Sequence, residues 1–189
     1  IKSTLLQNIQ SGKWIHPTPI QMQCIPILLQ KRDVLGCAPT GSGKSGAFIL
    51  PALILASIDE GTFYNNDDKT TTTSSPPNEQ IIRSVLLAPS RELASQLHRE
   101  VERLGRSKRH GRYALLSKTN ATTLLTSMPK HGLDVLVTTP LRLMTLLETK
   151  DESLLSKVRL IVLDEADRLL DATDGGGAAT SGSSHAKSF

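Results

Sequence analysis

An apolar run, Val34-Leu35-Gly36-Cys37, leads into Ala38-Pro39-Thr40-Gly41-Ser42-Gly43-Lys44-Ser45, and a helical pattern, Ala47-Phe48-Ile49-Leu50, follows. Strand, glycine-rich turn and helix in that order constrain this chain more than any other feature, because the context separates a phosphate loop from a chance motif match. Gly41 and Gly43 allow backbone angles and close approaches that a Cβ forbids. Such a turn aims successive N–H groups at phosphate oxygens, at the positive end of a helix. Lys44 has the reach for β- and γ-phosphates, and the Ser45 hydroxyl is a Mg²⁺ ligand. Ala38 stands where the pattern has glycine. Taken alone, the segment also fits an ordinary glycine-rich turn between a strand and a helix.

A second landmark is Leu160-Ile161-Val162-Leu163-Asp164-Glu165-Ala166-Asp167, an apolar strand ending in carboxylates. In open α/β sheets ligands bind beyond the carboxyl ends of the strands. One acid there can hold hydrated Mg²⁺ and its neighbour can orient or deprotonate an attacking water. Acids also suit a helix N-terminus for purely structural reasons.

The rest of the pattern agrees with an α/β chain. Strands are expected at 34–37, 84–88, 113–116, 134–138 and 159–163, and helices at 44–57, 91–104, 121–127, 140–148 and 166–170. Alternation of this kind implies a parallel sheet. Hydrophobic residues make up 38% of the chain and aromatic residues only 3%, which fits Ile-, Leu- and Val-rich strands buried on both faces. Residues 1–16 carry a short amphipathic helix, in which Trp14 is read as packing. Thr18 and Pro19 open the next helix, and Pro26 is expected to break it in two. Cys24 and Cys37 have no metal-ligand spacing and are read as core residues of a reducing compartment. No apolar run approaches the roughly 20 residues of a membrane span. The chain starts at Ile1 without Met and is expected to be a fragment.

Two segments interrupt the rhythm. Residues 60–80 form a polar insertion, expected as a surface loop, and 173–189 form a Gly/Ser-rich linker or truncated tail. The net charge of +4 permits nucleic-acid binding. Arg99, Arg103, Arg106, Lys108, Arg109 and Arg112 make a basic cluster, read first as a solvated face and second as a contact for RNA or a partner.

Read together, Pro17-Thr18-Pro19-Ile20-Gln21, the phosphate loop, Ala88-Pro89-Ser90-Arg91-Glu92-Leu93-Ala94, Thr138-Thr139-Pro140-Leu141-Arg142 and Asp164-Glu165-Ala166-Asp167 form an ordered set. That set resembles the first RecA-like domain of DEAD-box ATP-dependent RNA helicases. The resemblance implies a RecA-like P-loop domain over residues 1–172, a parallel sheet flanked by helices, with a second RecA-like lobe outside this chain. It implies ATP and Mg²⁺ as cofactors and ATP hydrolysis as the activity of the full-length protein.

Residue by residue, the resemblance gives Gln21 to the adenine base and Ala38, Pro39, Thr40, Gly41, Ser42, Gly43, Lys44 and Ser45 to the phosphates. Ser45 and Asp164 would hold Mg²⁺, Asp164 through water, and Glu165 would activate the attacking water. Asp167 would couple motifs across the lobe or across the cleft to the second lobe. Pro89, Ser90, Arg91, Thr139, Pro140 and Arg142 would grip the RNA backbone. Without the resemblance, Gln21 reads as a polar helix residue, and the last six as caps and turns.

Segments 17–23, 114–118 and 138–143 resemble the branch that works in small-subunit ribosome assembly. That implies pre-rRNA, ribosome-assembly proteins and a nucleolar, nuclear location. The chain departs from the family in lacking a glycine doublet near Ser117-Lys118-Thr119-Asn120 and a Ser-Ala-Thr element after the acidic motif. A P-loop ATPase of another class, or a module that only binds nucleotide or RNA, are the competing readings.

Overall fold

The computed structural model describes residues 3–12, 14–58, 81–106, 112–118, 123–124, 128, 132–149 and 152–174. The expected insertion at 60–80, most of the helix expected at 121–127 and the tail beyond 174 lie outside the described residues.

Helices α1 (Ser3–Ser11), α2 (Pro19–Leu29) and α3 (Lys44–Ile58) come first. Then follow β1 (Ile82–Leu87), α4 (Arg91–Gly105), β2 (Tyr113–Leu115), β3 (Leu133–Thr138) and α5 (Pro140–Thr149). A 3-10 turn (Glu152–Leu155), β4 (Leu160–Leu163) and α6 (Ala166–Asp174) complete the described order. The four strands form one parallel sheet in the order β2-β3-β1-β4. Every residue of β1 is buried, as both faces of a central parallel strand require.

One face is covered by α3 and α4, with Ile49, Leu53, Leu97, Val101 and Leu104 packed on Leu86, Val135 and Val137. The opposite face carries Leu146, Leu154 and Leu169 against Val85, Leu87 and Leu136. Burying each such side chain contributes about 1.5–3 kcal/mol. α1 is tied to the end of α4 by Asn8, whose Nδ2 donates to the Leu104 carbonyl at 2.7 Å. Trp14 packs as expected, with the Arg103 guanidinium 5.2 Å from its ring centre.

Three expectations are corrected. The apolar segment 34–37 is not a strand of the sheet, and Leu35 is 94% exposed. Among the described residues nothing pairs with the outer edge of β4, so Ile161 and Leu163 are 60% and 48% exposed. An apolar run supplies strand propensity but no partner for its N–H and C=O groups. Cys37 is exposed for the same reason, whereas Cys24 is buried as expected.

Pro26 does not end α2, which runs through to Leu29. Pro26 and Met22 are both exposed, so the ring and the carbonyl one turn back that loses its N–H donor lie on the solvent side of α2 rather than on its packed side. The opposite side of α2 buries Gln21 and Cys24, and packing against α3 outweighs the lost bond.

Missed in the sequence is a buried ionic cluster at the amino-terminal end of the strands. Arg83, only 4% exposed on β1, lies 3.7 Å from Asp134 of β3, and Arg112 donates to the same carboxylate at 2.8 Å. Two arginines share one acid across two strands. That supplies the charge compensation a buried guanidinium needs.

Candidate nucleotide and nucleic-acid site

Sheet register determines which loops meet. Leu87, at the end of β1, is level with Thr138 of β3 and with Leu163 of β4. Ala88 N–H donates to the Thr138 carbonyl at 3.0 Å and Asp164 N–H to the Leu87 carbonyl at 2.9 Å. The turns at 89–91, 139–142 and 164–167 therefore leave the sheet side by side at its carboxyl end. α3 lies against β1, β3 and β4, and its N-terminus is the end of the glycine-rich loop.

Within that loop Gly41 and Gly43 have φ of +79° and +90°. A Cβ on Gly43 would lie 2.7 Å from Gln21 Nε2 and 2.9 Å from Thr18 Oγ1, so this position needs glycine for space as well as for conformation. Gly46, which drew no attention in the sequence, admits Trp14 so closely that a Cβ would sit 2.7 Å from the indole ring. Lys44 folds back on its own loop. Its Nζ donates to the Ala38 carbonyl and, at 3.0 Å, to the Pro39 carbonyl. Ser42 N–H donates to Pro39 O at 3.3 Å, which closes the turn. Thr40 is exposed and Ser45 is half-buried at the start of α3.

Gln21 is 5% exposed and uses both ends of its amide. Oε1 accepts from Thr18 N–H at 3.1 Å, as in a capping arrangement, and Nε2 donates to the Gly43 carbonyl at 3.0 Å. The structure thus brings Gln21 to the phosphate loop, a contact the linear sequence does not suggest across 22 residues.

The acidic turn is also built unusually. Glu165 has φ +51°, left-handed for a side chain with a Cβ, at a cost of about 1 kcal/mol. Its carboxylate pairs with Arg168 Nη1 at 2.6 Å. Sequence reasoning missed Arg168, although its i,i+3 spacing was the available signal. Burial pushes the Asp164 carboxyl above the usual carboxylate range, the neighbouring Glu165 charge adds to that, and a backbone hydrogen bond and Lys44 oppose it. Lys44 is thus near enough to Asp164 for its charge to act on that carboxyl. Asp167 is exposed in the first turn of α6.

Ser90 caps α4, its Oγ accepting from Leu93 N–H at 3.2 Å, and Arg91 is exposed beside it. Pro89 is half-buried. Pro140 opens α5, and the Thr139 carbonyl accepts from Arg142 N–H and Leu143 N–H, each at 3.1 Å. Thr139 and Arg142 are half-buried, and the first turn of α5 contains no acid. Two helix N-termini, each with an arginine, thus stand next to each other.

Part of the basic cluster is structural. Arg103 is held by Glu100 and Trp14, and Arg112 by Asp134, while Arg99 and Arg106 are exposed. Lys108 and Arg109 lie outside the described residues.

A family model described as DEAD/DEAH box helicase matches residues 18–183. The chain belongs to this family. Among DEAD/DEAH box relatives, it is 39% identical over 178 residues to the ATP-dependent RNA helicase ROK1 of Saccharomyces cerevisiae, covering 89% of this chain and 28% of ROK1. It is 40% identical over 173 residues to the probable ATP-dependent RNA helicase ddx52 of Dictyostelium discoideum, covering 90% of this chain and 23% of that protein. It therefore spans about a quarter of the length of these curated relatives. The crystal structure of the RNA-helicase Prp28 from Chaetomium thermophilum, bound to ADP, superposes with a TM-score of 0.70 at 28% identity. That superposition covers 95% of this chain and 41% of Prp28. A DEAD box protein from Methanococcus jannaschii gives 0.68 at 27% identity over 92% of this chain and 42% of its own. The RecA-like α/β fold expected from the sequence is the fold observed.

Proposed function

We propose that this chain is the nucleotide-binding lobe of an ATP-dependent RNA helicase, active in the full-length protein together with a second RecA-like lobe. The observation that carries the reading is the joint placement of Lys44 and the Asp164–Glu165 pair. A phosphate-loop lysine acts on a raised carboxyl at the end of the neighbouring sheet, which is the pairing that ATP hydrolysis needs.

In this reading the 38–45 loop and Lys44 hold the ATP phosphates once Lys44 leaves the Ala38 and Pro39 carbonyls. Gln21 pairs with adenine by exchanging its bond to Gly43 for bonds to the base. Among the described residues no three His, Cys, Asp or Glu side chains converge as a metal cage. The donor set fits Mg²⁺ nonetheless, because Mg²⁺ is normally held by one or two carboxylates, water and substrate phosphates. Ser45 and Asp164 would hold it, and burial beside Glu165 leaves Asp164 electrostatically favourable toward a cation. Bound there, Mg²⁺ supplies charge neutralisation on the phosphates.

Glu165 accepts the proton of the attacking water, which requires it to leave Arg168. Asp167 links this site to the remainder of the lobe or to the second lobe. Pro89, Ser90, Arg91, Thr139, Pro140 and Arg142 hold RNA by its backbone, without reading sequence. Arginines of the second lobe complete the charge stabilisation.

The finer reading is pre-rRNA processing with small-subunit assembly proteins in the nucleolus. The branch-like wording of 17–23, 114–118 and 138–143 supports it, alongside matches to ROK1 from several yeasts. Among the described residues no helix is long and apolar enough to cross a membrane.

The test is ATP turnover by the full-length protein with and without single-stranded RNA, in the parent and in Lys44→Ala. RNA-stimulated turnover lost in Lys44→Ala is the expected result. Turnover stimulated by DNA and not by RNA would favour a motor of another class.

A further inference from the structure

Arg103 belongs to the basic cluster of α4, yet its guanidinium lies against the segment between α1 and α2. Its Nε donates to Glu100 Oε2 at 3.0 Å, and its central carbon is 5.2 Å from the middle of the Trp14 ring. Gly12 makes room for it: a Cβ there would lie 2.5 Å from Arg103 Nη1. Asn8 Nδ2 donates to the Leu104 and Arg106 carbonyls, so α1 also fastens the end of α4 beside Arg103. Trp14 extends this contact to the nucleotide side. A Cβ on Gly46 would meet the indole at 2.7 Å and Gln21 Nε2 at 2.8 Å. Ring and amide therefore approach the same point over the first turn of α3. Thr18 Oγ1 is buried near the same amide and has no hydrogen-bond partner among the described residues. The Gln21 amide thus has a second partner within reach besides the Gly43 carbonyl, and the ring is the surface that limits its rotation.

We propose that Arg103 is a positioning residue for base selection: it seats Trp14, and Trp14 holds the Gln21 amide in the orientation that fits adenine and not guanine. This rests on the reading that Gln21 pairs with adenine. Adenine presents N7 as an acceptor and its N6 amino group as a donor, whereas guanine presents N7 and O6, both acceptors. A Gln21 amide of fixed orientation donates to N7 and accepts from N6, and it sets its own oxygen against guanine O6. An amide free to turn loses that discrimination. Arginine suits the seat because a planar guanidinium stacks on an indole while a carboxylate fixes its fork. The Arg103 side chain is 40% exposed, so water shares the cation and its effect on selection is modest. The phosphates are held by the 38–45 loop and Lys44, which Arg103 does not touch among the described contacts, so their binding is independent of this device.

The experiment measures binding of Mg·ADP, Mg·GDP and Mg·tripolyphosphate to the full-length protein by calorimetry. It compares the parent with Arg103→Met, Gly12→Ala and Gln21→Ala. Arg103→Met keeps the stem and removes the cation. Gly12→Ala keeps the cation and pushes it off the ring, without backbone strain because Gly12 does not have a positive φ. Gln21→Ala should reduce the preference for ADP over GDP by at least about tenfold, the scale of one bidentate base contact. Arg103→Met and Gly12→Ala should each reduce it about threefold, the scale of a partly exposed cation–π contact, with tripolyphosphate affinity unchanged. A purely structural role would lower the thermal unfolding midpoint and leave the preference alone. The parent's preference retained in either of these two variants, with Gln21→Ala losing it, overturns the inference and leaves Gln21 at the base. Tripolyphosphate affinity falling in step with ADP affinity overturns it as well. The parent's preference retained in Gln21→Ala overturns the base reading, and the inference with it.

Discussion

The turns after β1 and β3 and the loop before α3 are all assigned to phosphate groups, yet they are anchored differently. The first two continue from the paired, buried strands β1 and β3, so the Leu87–Thr138 register fixes where Ser90, Arg91, Thr139 and Arg142 stand. The loop before α3 follows a segment outside the sheet, and its neighbour β4 is paired on one side only among the described residues. Its shape is held by side chains instead: Lys44 on the Ala38 and Pro39 carbonyls, and Gln21 on Gly43. Strand-anchored turns are preformed. A loop closed by its own lysine must be reopened by its ligand. Under the proposed function, that difference puts the conformational response to nucleotide on the α3 side of the molecule and a preformed RNA-holding surface on the β1–β3 side.

The chemical step separates the two regions most strongly. In the full-length protein Glu165→Gln keeps size and hydrogen bonding but removes the basic carboxylate. Single-turnover hydrolysis should slow by at least about a hundredfold while ATP affinity stays near that of the parent. A rate within a few-fold of the parent would take Glu165 out of its assigned role.

On the β1–β3 side the largest stability effect should come from Asp134→Ala, which removes the carboxylate shared by Arg83 and Arg112. Breaking such a buried arrangement costs about 3 kcal/mol, read as a lower urea midpoint. Nucleotide affinity per folded molecule should be unchanged. If affinity fell in parallel, the two regions would not be separable.

Within the loop, Gly41→Ala and Gly43→Ala should differ. Both positions have positive φ, at a cost of about 1 kcal/mol for an added Cβ. Only at Gly43 does that Cβ meet Gln21 and Thr18, while at Gly41 nothing lies within 4 Å. Calorimetry with Mg·ADP should show Gly43→Ala binding more weakly than Gly41→Ala. Equal affinities would mean that Gln21 does not shape the loop.

The smallest effect concerns pH. The native Asp164 carboxyl titrates above its unfolded counterpart, so the folded state binds more protons in the window between the two. Stability therefore falls as pH rises through that window and levels off above it. Asp164→Asn removes the fall. The variant should be at least as stable as the parent at neutral pH, and their difference in unfolding free energy should shrink on acidification. A variant less stable at neutral pH would show that the carboxylate is better compensated than its burial suggests.

Much of this molecule could be read from its residues in order. Glycines at 41 and 43, the lysine that opens α3, and acids after an apolar strand specify local chemistry that can be read without a distant partner. Strand and helix positions followed from periodicity and shifted by only a residue or two at most ends. The tertiary structure decided whatever depends on pairing. Residues 34–37 have strand composition, but a strand exists only where another chain segment meets its hydrogen bonds, and here none does among the described residues. Pro26 should break a helix, but the packing of α2 on α3 outweighed one lost bond. Gln21 against Gly43, Arg83 with Asp134, and Trp14 over Gly46 join residues dozens of positions apart, and no local pattern encodes such contacts. The sequence determined which groups can hold phosphate and move a proton. Only the fold, through strand register and close approach, decided which of them stand together.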